Sequence, residues 1–256
     1  MTTATYEDIL YEEKDHVATI TFNRPEKLNA FRGHTYAEVT DAILTAGWNR
    51  DIGAIVLTGA GDRAFAVGGD KDEEKSDRVG RGRGTVGIPV EEMQTAIRDV
   101  PKPVIAKVRG YAIGSGNVIV TLCDLAIASE TAIFGQAGPK MGSVDPGFGT
   151  ALLARVVGEK KAREMWFLCR RYPAAEALAM GLVNHVVPDH QLDDEVDRWC
   201  RLLAWYGCAA DRDDLYLDTG APGAHPRSGP VLVHPGASTD ERRWPADRFA
   251  AVARAL

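Results

Sequence analysis

The chain has 256 residues, room for one large α/β domain or for a domain and a fragment, and its 45% hydrophobic content excludes global disorder. A net charge of −6 argues against nucleic acid as the main partner. No apolar run approaches ~20 residues, so no membrane-spanning helix is expected.

The N-terminus, MTTATYEDILYEEKD, lacks the basic and apolar regions of a signal peptide, and a cytoplasmic location is expected. HVATITFN (16–23) reads as a strand with Ala18, Ile20 and Phe22 on one face. RPEKLNA turns. GHTYAEVTDAILTAGW then reads as a helix with Val39, Ile43 and Leu44 on its apolar side. AIVLTGAG (54–61) is a short apolar strand of the buried kind, and RAFAVGGD follows as another. KDEEKSDRVGRGRGTVG (71–87) is charged and glycine-rich, a mobile surface loop on composition.

PVEEMQTAIRDV (89–100) is helical, with Pro89 at the first helical position. KPVIAKVRG (102–110) is a strand. GYAIGSGNVIVTLCDLAIAS passes from turn to helix to strand, and TAIFGQ (131–136) is a strand again. Residues 147–170 and 174–180 read as helices, VNHVV (183–187) as a strand, and 189–205 as a helix. Strands alternating with helices define an α/β protein. DRDDLYLDTGAPGAHPRSGP (211–230) is rich in Pro, Gly and Asp, as linkers are. VLVHPGAS and PADRFAAVARAL add one strand and one helix.

Cys123, Cys169, Cys200 and Cys208 form no CxxC pair and are expected as free thiols in a reducing compartment. The six histidines offer no HExxH, and His185 and His190 lie five apart across Pro188, so no metal site is expected. GRGTVG (82–87) matches GxGxxG, but a charged run precedes it where a dinucleotide site needs a strand. GYAIGSGN (110–117) is better placed, between a strand and a helix. The first amides of a helix are unpaired and favour negative charge, and glycines let a ligand approach them. AFAVGGD (64–70) follows the same logic, and two converging amides would form an oxyanion hole. The same residues also fit two tight packing turns. Asp145, between Val144 and Pro146 in an apolar loop, suits proton transfer if burial raises its pKa; it equally suits capping the helix beginning near Phe148.

Together FNRPEKLNAF (22–31), AFAVGGD (64–70), PKPVIAKVRGYAIGSGN (101–117), CDLAIAS (123–129), AIFGQAGPKMGSVDPGFGT (132–150) and AREMWFLCRRYPAAEALAMGLVNHVVP (162–188) resemble the crotonase (enoyl-CoA hydratase/isomerase) superfamily over roughly residues 6–205. The resemblance implies an α/β crotonase (ClpP-like) spiral of ββα units. It implies a coenzyme A thioester as substrate and no tightly bound cofactor. Gly69 and Ser115 amides would hold the thioester oxygen, beside Gly114, with Ser115 standing where a glycine is usual. Lys27, Leu28, Ala66 and Asp70 fall in the stretches that grip CoA; Lys27 also suits phosphate as a cation. The two hydratase glutamates would fall at Val118 and Gly138, neither able to move a proton, so enoyl-CoA hydration is not expected.

Within the superfamily the likeness is strongest to the 2-ketocyclohexanecarboxyl-CoA hydrolase branch of benzoate degradation, then to the 1,4-dihydroxy-2-naphthoyl-CoA synthase branch. There Asp145 is the acid/base group, with Ser143 nearby. Gln136, Gly138 and Trp166 match a side pocket that holds bicarbonate in some naphthoyl-CoA synthases; whether bicarbonate binds here stays open. The expected activity is ring opening of 2-ketocyclohexanecarboxyl-CoA to pimeloyl-CoA. The alternatives are ring closure, or a CoA-binding protein with impaired catalysis. Trimers or hexamers are implied, as is the absence of nucleic acid and membrane partners. Residues 1–205 would form the crotonase-like domain, 206–230 a linker, and 231–256 an atypical strand–helix tail. That last stretch resembles the start of the second domain of a family 9 glycosyltransferase (heptosyltransferase). Tyr206 and Tyr216 are the only tyrosines past Trp205, and no motif gives either a catalytic role.

Overall fold

The computed structural model describes residues 6–70, 88–143, 145 and 147–207, with side chains as far as 203. The glycine loop 71–87, Cys208, Tyr216, Val144, Pro146 and the expected tail all lie outside the described residues. So do all but the first two residues of the expected linker, for the last helix runs on through Gly207.

The chain opens with a hairpin. Strand β1 (Ile9–Lys14) pairs antiparallel with β2 (Val17–Phe22). Its two-residue turn, Asp15 and His16, has positive φ at both positions, the twist that a tight hairpin needs. Sequence reading missed β1 because only Ile9 of its six residues is buried. In β2 the buried positions are Ala18, Ile20 and Phe22, as the alternation predicts.

Helix α1 (Gly33–Trp48) buries Val39, Ala42, Ile43 and Ala46. Leu44, expected on that face, is instead 42% exposed. One residue past Ile43 is a rotation of about 100°, which carries Leu44 off the apolar stripe. Helix α2 (Val90–Asp99) starts one residue after Pro89, which occupies the cap rather than the first helical position. The segment 147–170 is two helices, α5 (Gly149–Val157) and α6 (Glu159–Leu168), rather than one. Gly158 at φ +80 breaks the run between them.

Two sheets organise the remainder. The larger has six strands in the order β1-β2-β3-β5-β7-β10, with β3 (Ala54–Gly59), β5 (Val104–Val108), β7 (Leu125–Ser129) and β10 (His185–Val187). From β2 onward its strands run parallel. Residues 54–58 of β3 are all buried, as in a strand covered on both faces. The smaller sheet has the order β4-β6-β8-β9, with β4 (Ala64–Ala66), β6 (Tyr111–Ile113), β8 (Ile133–Gly135) and β9 (Arg171–Pro173). Each consecutive pair, β3–β4, β5–β6 and β7–β8, sends its first strand to the large sheet and its second to the small one. This repetition is the spiral of the fold. Helix α3 (Ser115–Leu122), the short α4 (Gly138–Met141) and α7 (Ala174–Ala179) fill the connections.

The main core lies where one face of the large sheet meets the small sheet and helices α1, α2 and α3. A second apolar cluster sits on the opposite face, under helix α8 (Leu192–Gly207). Leu192, Val196 and Cys200, spaced by four, pack there on Val56, Ile105 and Ile127.

Candidate active site

Strands β4, β6 and β8 are parallel neighbours. Their C-terminal ends therefore leave the small sheet on one edge. The residues that follow are Val67–Asp70, Gly114–Ser115 and Gln136–Gly138. Three motifs far apart in sequence thus converge by strand pairing.

The first two motifs nearly touch. A Cβ built on Gly68 would lie 3.6 Å from the Ser115 nitrogen, and one on Gly114 would lie 3.5 Å from the Gly68 Cα. Both glycines have positive φ, +95 and +59. Gly114, at ψ −120, occupies a conformation closed to other residues. One residue later, Ser115 is the first residue of α3 and has ordinary helical backbone, which tolerates a side chain. Its amide has no acceptor within the helix. Gly69 is exposed, and a Cβ there would meet nothing within 4 Å. Among the described residues its amide donates to no backbone carbonyl. Two backbone donors thus stand on neighbouring turns. Deeper in α3, Gly116 presses against β4: its Cβ would fall 2.2 Å from the Ala66 carbonyl oxygen. Ala66 is fully buried and forms the floor of this contact.

The 22–31 stretch closes one side. A short 3-10 turn (Pro25–Lys27) leaves Lys27 exposed, and Leu28 follows with positive φ. Asn29 holds the turn in place: its Nδ2 donates to the carbonyls of Ala60 and Ala64, and its Oδ1 accepts the Arg24 amide. Asp70, 7% exposed, pairs with the Arg24 guanidinium at 2.8 Å. Its carboxylate thus links this turn to the strand end that carries Gly69. Arg24 had no place in the sequence reading, because nothing local marks a partner 46 residues away.

Across the opening lies the loop between α4 and α5. Val118 of α3 is buried and Gly138 half-buried. Asp145 is half-buried. Its Oδ2 accepts the Thr150 amide of α5 at 2.8 Å, which is a helix-capping contact. A Cβ on Gly149 would lie 2.8 Å from that same Oδ2 and 2.7 Å from the Val118 side chain. Asp145 therefore stands beside the helix whose first amide is Ser115. Gln94 of α2 is the brace that sequence reading missed: its Nε2 reaches Asp145 Oδ1 at 3.4 Å and its Oε1 accepts the Phe148 amide at 2.6 Å. Ser143 is exposed, and its amide donates to the Gly138 carbonyl.

Gln136 is buried at the end of β8. The Trp166 ring stands against Gly138, with Cζ3 3.6 Å from where a Cβ would be. Its indole Nε1 is buried and has no hydrogen-bond partner among the described residues. Among the described residues Cys123, Cys169 and Cys200 are free and buried. Burial, with Asp197 adding to it, pushes the Cys200 thiol up to about 12. Among the described residues no group of three His, Cys, Asp or Glu could hold a metal ion, and no helix is long and apolar enough to cross a membrane.

This arrangement of two turns and one loop on a ββα spiral has relatives. The family model for enoyl-CoA hydratase/isomerase matches residues 12–210. The chain belongs to the enoyl-CoA hydratase/isomerase (crotonase) family. Among solved structures it is similar to an enoyl-CoA hydratase/isomerase from Xanthobacter autotrophicus Py2, at 33% identity and TM-score 0.71, covering 81% of this chain and 75% of that one. An enoyl-CoA hydratase/carnithine racemase from Magnetospirillum magneticum gives 29% and 0.72, covering 78% and 75%. An enoyl-CoA hydratase from Geobacillus kaustophilus HTA426 gives 32% and 0.69, covering 78% and 77%. The fold is thus the crotonase fold, with its two mixed sheets, and the protein is a crotonase-family acyl-CoA enzyme. Residues 211–256 lie outside the family match.

Proposed function

We propose that this crotonase-family enzyme opens the ring of an alicyclic β-keto acyl-CoA by hydrolysis, converting 2-ketocyclohexanecarboxyl-CoA to pimeloyl-CoA. One observation carries the reading. Asp145 stands by Gly149 beside Val118 of α3, and the family resemblance implies that Val118 and Gly138 fall where a hydratase would place its two glutamates. One carboxylate is too few for the paired proton transfers of hydration but enough for cleavage to an enolate.

Asp145 takes a proton from water as the water oxygen bonds to the ring ketone carbon. The tetrahedral intermediate collapses and the bond from that carbon to the thioester α-carbon breaks. Its electron pair passes into the thioester enolate. The amides of Gly69 and Ser115 meet the enolate oxygen where negative charge develops. The proton held by Asp145 then goes to the α-carbon; the new carboxylic acid at one end of the chain gives its proton to solvent, and the thioester remains at the other. Lys27, Leu28 and Ala66 would belong to the stretches that receive the CoA portion, Ser143 would stand near the reacting ring, and the Arg24–Asp70 pair would hold the receiving turn.

The Trp166 indole favours a second reading, ring closure of the naphthoyl-CoA synthase type. A buried N–H with no partner suits an anionic acceptor, so Gln136, Gly138 and Trp166 fit bicarbonate, which would supply a basic oxygen at that place. Turnover assays on the two candidate thioesters separate the readings. Ring opening that disappears in Asp145→Asn supports the first. Bicarbonate-stimulated closure without opening replaces it with the second. CoA thioester binding with no turnover of either would make the chain a binding protein.

A further inference from the structure

Ser115 is where this chain leaves the all-glycine turn, and its hydroxyl has a partner. The Tyr36 phenol oxygen, arriving from α1, lies 2.8 Å from Ser115 Oγ. Tyr36 is only 3% exposed. Its ring packs on Phe31, with centroids 4.9 Å apart and planes tilted by 42°. The Phe31 backbone in turn clasps the strand end that carries Gly69. Its N–H donates to the Gly68 carbonyl at 2.8 Å, and its carbonyl accepts the Asp70 amide at 2.6 Å. A continuous path therefore runs from Gly69 through Phe31 and Tyr36 to Ser115, bridging the two halves of the opening from behind.

We propose that Tyr36 is a positioning residue of the oxyanion hole. Through Phe31 it is tied to Gly69, and through its hydroxyl to Ser115, so it sets the separation and aim of the two amides. The proposal rests on the reading of those amides as the thioester-oxygen site. The physical need arises from the serine itself. Its hydroxyl has three staggered rotamers, and an unheld hydroxyl at the mouth of the site would compete for the ligand oxygen. Preorganised donors stabilise developing charge because they do not reorganise during reaction. Tyr36 takes up the hydroxyl in one rotamer and fixes the first turn of α3.

The test uses the full chain and cyclohexanecarboxyl-CoA carrying a 13C thioester carbonyl, a probe without the ring ketone and so not cleaved. Difference infrared spectroscopy reads the bound carbonyl stretch, and titration reads its Kd. The wild-type chain is expected to move the stretch to lower wavenumber. Tyr36→Phe, which keeps the ring on Phe31, and Ser115→Ala should each bind the probe within about threefold of wild type but with a smaller downshift. Each should also lower kcat for ring opening about three- to tenfold with KM little changed, the size of one net hydrogen bond. The double variant should be no worse than either single one. A merely structural Tyr36 would change stability or Kd and leave the bound carbonyl stretch alone. A wild-type downshift in both single variants, or additive losses in the double, overturns the proposal. Either variant carries the test alone should the other not fold. A wild-type chain that binds the probe without any downshift refutes the oxyanion-hole reading itself, and one that shows the downshift without ring opening refutes only the substrate.

Discussion

The two sides of the site are built from different material. On one side are Gly68–Gly69 and Gly114–Ser115, whose chemistry is backbone, just past the C-terminal ends of the paired strands β4 and β6. On the other is the stretch from Gly138 to Thr150, whose chemistry is a side chain on a loop with exposed Met141, Gly142 and Ser143. Backbone donors survive every substitution except proline; otherwise only the conformation that aims them can be lost. Carboxylates on a loop can be removed one at a time without disturbing the core. That asymmetry would let one spiral keep the proposed amide pair while the carboxylate of its loop is exchanged.

Substitutions should separate the two sides. The largest effect is expected on the loop side: Asp145→Asn should lower ring-opening kcat by about 10²–10⁴. It should leave thermal unfolding nearly unchanged, because the amide oxygen still accepts the Thr150 N–H. A fall in Tm as large as the fall in rate would reduce Asp145 to a helix cap. On the backbone side, Gly116→Ala should cost about 3 kcal/mol in urea unfolding, since its Cβ would lie 2.2 Å from the Ala66 carbonyl. Unchanged stability there would mean that α3 is free to move off β4.

Removing a brace should matter less than either. Gln94→Ala is expected to lower kcat about tenfold by releasing both Asp145 and the Phe148 amide, with CoA affinity retained. The smallest effect belongs to Gly142→Ala, about 1 kcal/mol of unfolding free energy. Gly142 has φ +66, but a Cβ there meets nothing within 4 Å.

A pH test reaches the scaffold behind the backbone side. Burial alone would raise the Asp8 carboxyl, but the Arg32 guanidinium and the Thr35 hydroxyl outweigh it and hold the group below its usual range. A depressed folded-state pKa stabilises above the unfolded value and loses that contribution as pH falls through the folded one. Asp8→Asn should therefore be less stable than wild type at neutral pH. The gap should close as the pH drops below about 4, the ordinary aspartate range, by denaturant titrations at several pH values.

Much of this was legible before any coordinates. The alternation in 17–22 named Ala18, Ile20 and Phe22 as core, and they are. The order of the separated motifs pointed to the crotonase spiral, and the chain has that fold. Local rules failed where the signal was weak or shifted by a single residue. Strand β1 buries too little to alternate visibly, Leu44 lies one step round the helix from its expected face, and Gly158 divides a run that looked continuous.

What the sequence by itself determined was the chemistry on offer: glycines for close approach, one aspartate, a serine in a glycine turn. What only the tertiary structure decided was which of these meet. Parallel pairing of β4, β6 and β8 brings three turns to one edge. Gln94 reaches Asp145 across 51 residues, and Tyr36 reaches Ser115 across 79. Periodicity records how each segment is buried, a local property of the chain. Contacts at such separations depend on the register of strands and the crossing of helices, which only the assembled core defines.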